Sequence, residues 1–71
     1  MILYHTDGCH LCDKAMALLA QCQVEYQLVD IVLDEQLVAL FGTRIPVLDN
    51  QKGQYLNWPF AYSDIEQFLA A

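Results

Sequence analysis

The sequence predicts a single α/β domain over residues 1–71, with the element order β-α-β-α-β-β-α and a four-stranded mixed sheet flanked by three helices. Three observations carry this. Strand and helix periodicities alternate from the first residues, Pro46 stands at the start of the third strand, and the turn-rich Asp49-Asn50-Gln51-Lys52-Gly53 joins the last two strands as a hairpin.

Ile2-Leu3-Tyr4 reads as a buried strand and His5-Thr6-Asp7-Gly8 as a loop, with Gly8 giving the backbone freedom to enter a helix. From Leu11 the apolar positions Ala15, Leu18, Leu19 and Cys22 recur at helical spacing, so the first helix runs from about Cys9 to about Gln21. Cys22 belongs to its buried face, where a free thiol behaves as a small hydrophobe. Val24, Tyr26 and Leu28 alternate with Glu25 and Gln27, and Val29 and Ile31 continue a second strand. A strand, a helix and a strand within about thirty residues form a βαβ unit with parallel strands.

A second helix starts near Asp34 or Glu35, carries Leu37, Val38, Leu40 and Phe41, and stops at Gly42, a good residue to follow a helix. Thr43 to Leu48 is the expected third strand, with Pro46 at its start or edge because proline cannot donate to a ladder. Val47-Leu48 and Tyr55-Leu56 pair as the antiparallel hairpin. The aromatic connection Trp58-Pro59-Phe60 leads to Ser63-Asp64-Ile65-Glu66, a capping box opening a last helix with Ile65, Phe68 and Leu69 on its buried stripe.

Composition bounds the function. A chain of 71 residues lies near the lower limit for a core without staples or metal, and 56% hydrophobic content offsets that in part. Three basic against nine acidic residues leave a formal charge of -6 and a pI near 4.3. That balance repels phosphate backbones and anionic lipid, so neither nucleic acid nor a membrane is an expected partner. No apolar run approaches the about 20 residues needed to cross a bilayer. The expected compartment is the cytoplasm, because an odd cysteine count argues against a secreted disulfide framework and reducing compartments retain dithiols that cycle.

The chemistry centres on Cys9-His10-Leu11-Cys12. Positions i and i+3 of a helix lie about 5 Å apart, inside the about 4.4–6.8 Å that a disulfide requires between Cα atoms. Cys9, at the helix start, faces unpaired N–H groups and the positive end of the helix dipole, which favour thiolate over thiol. Cys9 is therefore the expected attacking sulfur, and Cys12, one turn inside the helix, the one that resolves the mixed disulfide. As a structural staple the pair is poorly placed, since a loop of about four residues contributes only about 1.9 kcal/mol in the chain-entropy model. As half of a zinc site it lacks the second half, because no other Cys-x-x-Cys or His-x₃₋₅-His follows.

A chain with this element order, a Cys-x-x-Cys opening its first helix and an Ile-Pro opening its third strand resembles the glutaredoxin branch of the thioredoxin fold over essentially its whole length. Tyr4 lies five residues before Cys9, as a first-strand tyrosine does in many glutaredoxins. Cys12-Asp13-Lys14-Ala15 with Leu18-Leu19 is similar to their C-x-[KR]-A-x-x-L-L helix, and Thr43-Arg44-Ile45-Pro46 stands where the family has its T-V-P segment. The resemblance implies a cis Pro46 packed beside the active-site disulfide and an Ile45 backbone that pairs with an extended substrate. Three departures mark this chain: His10-Leu11 replaces the common Pro-Tyr, Thr6 replaces a common lysine, and Asn57-Trp58-Pro59-Phe60-Ala61 replaces the Gly-Gly-x-x-Asp segment that binds glutathione's γ-glutamyl carboxylate. All three bear on glutathione binding and leave the dithiol chemistry intact.

Nearby charges tune such a pair. His10 as a cation stabilises thiolate, Lys14 acts in the same sense, and Asp7 and Asp13 oppose it, with helix N-terminal stabilisation as the carboxylates' ordinary role. The expectation is a monomeric thiol-disulfide oxidoreductase with catalytic Cys9 and Cys12 and no bound cofactor. Its expected partners are a disulfide-containing protein or glutathione, and glutathione or a reductase as the source of electrons. The competing readings are a binding module in which Cys9 and Cys12 hold zinc or an iron–sulfur cluster, with His5 or His10 or across a dimer, and an interaction domain without turnover.

Overall fold

Strands and helices follow one another in the expected order through the computed structural model, which describes residues 1–70: β1 (Ile2–His5), α1 (His10–Gln21), β2 (Gln27–Asp30), a 3-10 turn (Ile31–Leu33), α2 (Glu35–Phe41), β3 (Val47–Asp49), β4 (Tyr55–Asn57) and α3 (Tyr62–Ala70). The four strands form one sheet in the order β2-β1-β3-β4. β1 runs parallel to β2, from Ile2 opposite Gln27 to His5 opposite Asp30. β1 and β3 are antiparallel, with Leu3 opposite Leu48 and Tyr4 opposite Val47, and β3 pairs antiparallel with β4. This is the mixed sheet of the thioredoxin fold.

Alternation along the two central strands divides the core. Leu3 and Leu48 face one side, where they are buried with Ala15 and Leu19 of α1, Phe60, and Ile65 and Phe68 of α3. Val47 faces the other, buried with Ile31 and Phe41, and the partly buried Tyr4, Leu37 and Ile45 pack against them. The sheet is thus covered by α1 and α3 on one face and by α2 on the other. Among the described residues no helix is long and apolar enough to cross a membrane.

α1 stops without a glycine. Gln23 has φ 56°, its N–H donates to the Ala20 carbonyl, and the Val24 N–H reaches back to Leu19. These two bonds are the Schellman pattern, which a residue in the left-handed region closes. A side chain in that region costs about 1–2 kcal/mol that glycine avoids, partly offset by glycine's greater freedom in the unfolded chain. Gln23→Gly is therefore expected to stabilise the protein by about 0.5–1 kcal/mol, read as a higher denaturant midpoint at unchanged slope.

Five local expectations are corrected. β2 begins only at Gln27, and Ile31 leaves it for the 3-10 turn, because the Asp30 carboxylate accepts the Val32 N–H at 3.1 Å and curls the chain. β3 begins at Val47 rather than Thr43, since the Arg44 and Ile45 N–H groups both bond back to the Phe41 carbonyl, at 2.8 and 3.0 Å, and finish α2. Gly42 is not left-handed (φ -54°); it is needed because a Cβ there would lie 2.6 Å from the Val38 carbonyl oxygen. α3 begins at Tyr62, and Asp64 rather than Ser63 makes the cap, its carboxylate accepting the Ala61 N–H at 2.7 Å. Leu28, on an edge strand, and Leu69, on the outer side of α3, are exposed rather than buried.

Candidate active site

Gly8, with φ 78°, turns the chain from the end of β1 into α1. Cys9 then caps the helix in an extended conformation, and its Sγ accepts the Cys12 backbone N–H at 3.1 Å. A sulfur here takes the place of the serine or aspartate oxygen that usually satisfies this orphan donor. Cys9 and Cys12 are joined by a disulfide, with their Cα atoms 5.2 Å apart. The two sulfurs differ in access: Cys9 is partly exposed, whereas Cys12 is fully buried against the core.

The arrangement can exchange a disulfide in a defined order. An accessible sulfur at a helix N-terminus is stabilised as a thiolate by the same N–H groups and dipole once the bond is open. A buried sulfur one turn away is reachable only through the first.

The Ile45–Pro46 bond is cis, as the resemblance implies. β3 begins immediately after it, and the pairing of Val47 with Tyr4 sets Pro46 across from the end of β1 that leads into the Cys9 loop. Pro46 is buried, and its carbonyl accepts the Trp58 N–H at 3.3 Å. The Ile45 N–H is occupied by the Phe41 carbonyl at 3.0 Å, so of the donor–acceptor pair that the resemblance implies for this backbone, only the carbonyl is left to accept. The Trp58–Pro59 bond is also cis, which nothing in the sequence reading anticipated; Trp58 stands edge-on to Phe60 at 5.1 Å, and Phe60 is buried in the core.

His10, Asp13 and Lys14 are exposed on α1, and His5, partly buried, ends β1. Among the described residues no three His, Cys, Asp or Glu side chains are grouped to hold a metal ion. Cys22 is a free thiol, partly buried against the core on the α1 side. A surface cavity of about 500 Å³, lined by Met1, Tyr26 and Gln51 among others, lies at the opposite end of the sheet.

One polar pair behind the site was missed. Asp49, read as a turn residue, is 9% exposed; one carboxylate oxygen accepts the Gln51 N–H at 2.7 Å and the other accepts the Tyr4 hydroxyl at 3.3 Å. The signal was present in the alternation, because Tyr4 and Asp49 lie on the same face of neighbouring strands. Tyr4 also stacks on Phe41, centroids 4.6 Å apart, and the Arg44 guanidinium lies 5.4 Å from the centre of the same Phe41 ring. Burial, followed by the Asp49 charge and hydrogen bond, raises the Tyr4 pKa above its ordinary 10.0. A raised folded-state value means that the neutral hydroxyl stabilises the fold fully below about pH 10 and that this contribution is lost as pH rises through the folded value. Tyr4→Phe is therefore expected to cost about 1 kcal/mol at pH 8 and progressively less above pH 10, measured by denaturant unfolding across that range.

A family model described as a glutaredoxin-like domain (DUF836) matches residues 1–70. The X-ray structure of Northeast Structural Genomics target protein XcR50 from X. campestris is similar to this chain at 40% identity and a TM-score of 0.91, covering 99% of this chain and 96% of that one. The solution structure of the same target gives 40% identity and a TM-score of 0.88, with 99% and 92% covered. No curated protein matches. With the fold, the helix-capping cysteine pair and a family match over all but the last residue in agreement, this chain belongs to the glutaredoxin-like family.

Proposed function

We propose that this protein is a thiol-disulfide oxidoreductase that reduces disulfides through Cys9 and Cys12. The observation that carries the reading is the Cys9 sulfur at the α1 N-cap, 3.1 Å from the Cys12 N–H and bonded to a sulfur that solvent does not reach. In the reduced protein the Cys9 thiolate attacks one sulfur of a substrate disulfide, forms a mixed disulfide and expels the other sulfur as a thiolate. Cys12 gives up its proton and attacks the Cys9 sulfur, the Cys9–Cys12 bond forms, and the second substrate sulfur leaves. Two electrons pass from the protein to the substrate, and solvent protons complete the two product thiols. A thiol donor, glutathione or the dithiol of a reductase, reverses the exchange and restores the pair.

The Ile45 carbonyl beside the cis Pro46 is the expected anchor for an extended substrate backbone. Lys14, and His10 in its cationic form, favour the Cys9 thiolate and Asp13 opposes it, each from an exposed position where water screens the effect. The exchange needs no resident cofactor and no second subunit, and a dithiol that must be re-reduced belongs to a reducing compartment such as the cytoplasm.

The test is a single turnover. Protein reduced and freed of reductant is mixed with excess hydroxyethyl disulfide. One equivalent of disulfide consumed, with Cys9 and Cys12 becoming bonded to each other by mass analysis of the digested protein, supports the reading; fully reduced protein that consumes none overturns it.

A further inference from the structure

The parallel register of β1 and β2 ends at His5 opposite Asp30, so the segment after β2 emerges at the same end of the sheet as the Cys9 loop. That segment is the 3-10 turn. Its first residue, Ile31, is buried, while Val32 is 63% exposed and Leu33 85%. Leu11, between the two cysteines, is a further exposed leucine at this end. Full burial of such a side chain is worth about 1.5–3 kcal/mol, and most of that is still to be gained at Leu33 and more than half at Val32.

Carboxylates frame the turn. Asp30 caps it through the Val32 N–H, Asp34 caps α2 through the Gln36 N–H at 2.9 Å, and Glu35 opens α2. Asp7 and Asp13 flank the cysteines on the neighbouring loop and helix. The cation nearest in sequence after α2, Arg44, is turned to the other end of that helix, where it donates to the Leu40 carbonyl at 3.3 Å and to Asn57 at 3.2 Å. The basic groups at this end are Lys14 and His10 on α1 and His5 opposite Asp30, against the carboxylates of Asp7, Asp13, Asp30, Asp34 and Glu35. An apolar tip with this acidic excess is complementary to apolar side chains accompanied by lysine or arginine. It is poorly matched to a second copy of itself, which would bring Asp30, Asp34 and Glu35 against their own counterparts, and to anionic lipid.

We propose that Val32 and Leu33 are the docking edge for a protein substrate whose disulfide is flanked by apolar and basic residues, which they hold while Cys9 attacks. This rests on the dithiol reading above and names its substrate class. The chemistry is the same exchange: the substrate disulfide is reduced to two thiols and the Cys9–Cys12 dithiol is oxidised to the disulfide.

The experiment compares single-turnover rate constants of the reduced protein on three probes: a disulfide-linked peptide with Leu and Lys around its cysteine, the same peptide with Glu in place of Lys, and hydroxyethyl disulfide. The Leu-Lys peptide is expected to react about tenfold faster than the Leu-Glu peptide at low salt, with the gap narrowing as salt is added. In the Val32→Ser, Leu33→Ser double variant, the Leu-Lys rate is expected to fall about tenfold relative to the hydroxyethyl disulfide rate of the same variant, the equivalent of about 1.4 kcal/mol of lost contact. Equal rates on both peptides, or an unchanged ratio in the variant, overturn the docking edge while leaving the dithiol reading in place. No reaction with any probe overturns the dithiol reading itself. A concentration-dependent dimer in sedimentation that the double variant abolishes would assign the turn to self-association and overturn the proposal.

Discussion

Cys9→Ser is expected to abolish disulfide reduction, by at least about a thousandfold, whereas Cys12→Ser should still react once and then stop as a stable mixed disulfide at Cys9. The asymmetry follows from where α1 places each sulfur. Cys9 is the N-cap, partly exposed, with a backbone N–H aimed at its Sγ; Cys12 is one turn inside the helix and wholly covered by the core. A serine at position 9 keeps a cap acceptor, and serine is among the preferred residues there, so the variant should fold and its inactivity report on chemistry rather than on stability. A serine at position 12 leaves a buried hydroxyl in an apolar site, costing about 1–3 kcal/mol if unsatisfied, so its fold is checked by circular dichroism beside the trapping. The readout is mass analysis after incubation with hydroxyethyl disulfide: an adduct at residue 9 in Cys12→Ser, and none at residue 12 in Cys9→Ser. An adduct that forms only at Cys12 would reverse the assigned roles, and turnover by both variants would remove the pair from the reaction.

The pairing of Cys9 with Cys12 was legible because helix geometry alone brings i and i+3 within disulfide reach, and the structure places their Cα atoms 5.2 Å apart. The element order was legible for a similar reason: periodicity in a short chain leaves few alternatives, and Leu3, Ala15, Leu19, Leu48, Ile65 and Phe68 all lie in the core. Periodicity marks a face and is silent on how far a neighbour covers it. Leu28 and Leu69 have the expected spacing, yet one lies on an edge strand and the other on the open flank of the last helix. The turn after β2 was hidden by its own composition, since Val29 and Ile31 continue a strand pattern until the Asp30 side chain takes the Val32 N–H and ends it. The buried Asp49 was obscured by its neighbours: next to Asn50 and Gly53 it reads as a turn residue, and only the β1–β3 register brings it to the Tyr4 hydroxyl. The isomer at Pro46 came from resemblance, and that at Pro59 from the structure alone, because the two X-Pro forms differ by only about 0.5–1 kcal/mol before tertiary contacts choose.

Leu48→Ala is expected to be the most damaging single truncation outside the site, costing about 3–4 kcal/mol. Leu48 is fully buried at the middle of β3, an inner strand, with Leu3 opposite it on β1 and Leu56 on β4. Its side chain joins the cluster in which α1, through Ala15 and Leu19, and α3, through Ile65 and Phe68, meet the sheet. A cavity at this position is lined from both helices and from the paired strands, so no single element can move in to fill it without disturbing another. A domain of this size has only about 4–10 kcal/mol of total stability, so the loss removes at least about 30% of it. Guanidinium unfolding of the oxidised protein should show a large fall in midpoint at an unchanged slope, while Leu33→Ala, at a leucine 85% exposed, should stay within about 0.5 kcal/mol of the parent. A Leu48→Ala cost below about 1 kcal/mol would mean that the α1 and α3 side of the sheet does not hold the fold together. The consequence reaches the chemistry through α1, because Ala15 and Leu19, which share the cluster with Leu48, seat on the sheet the helix that Cys9 caps and that carries Cys12.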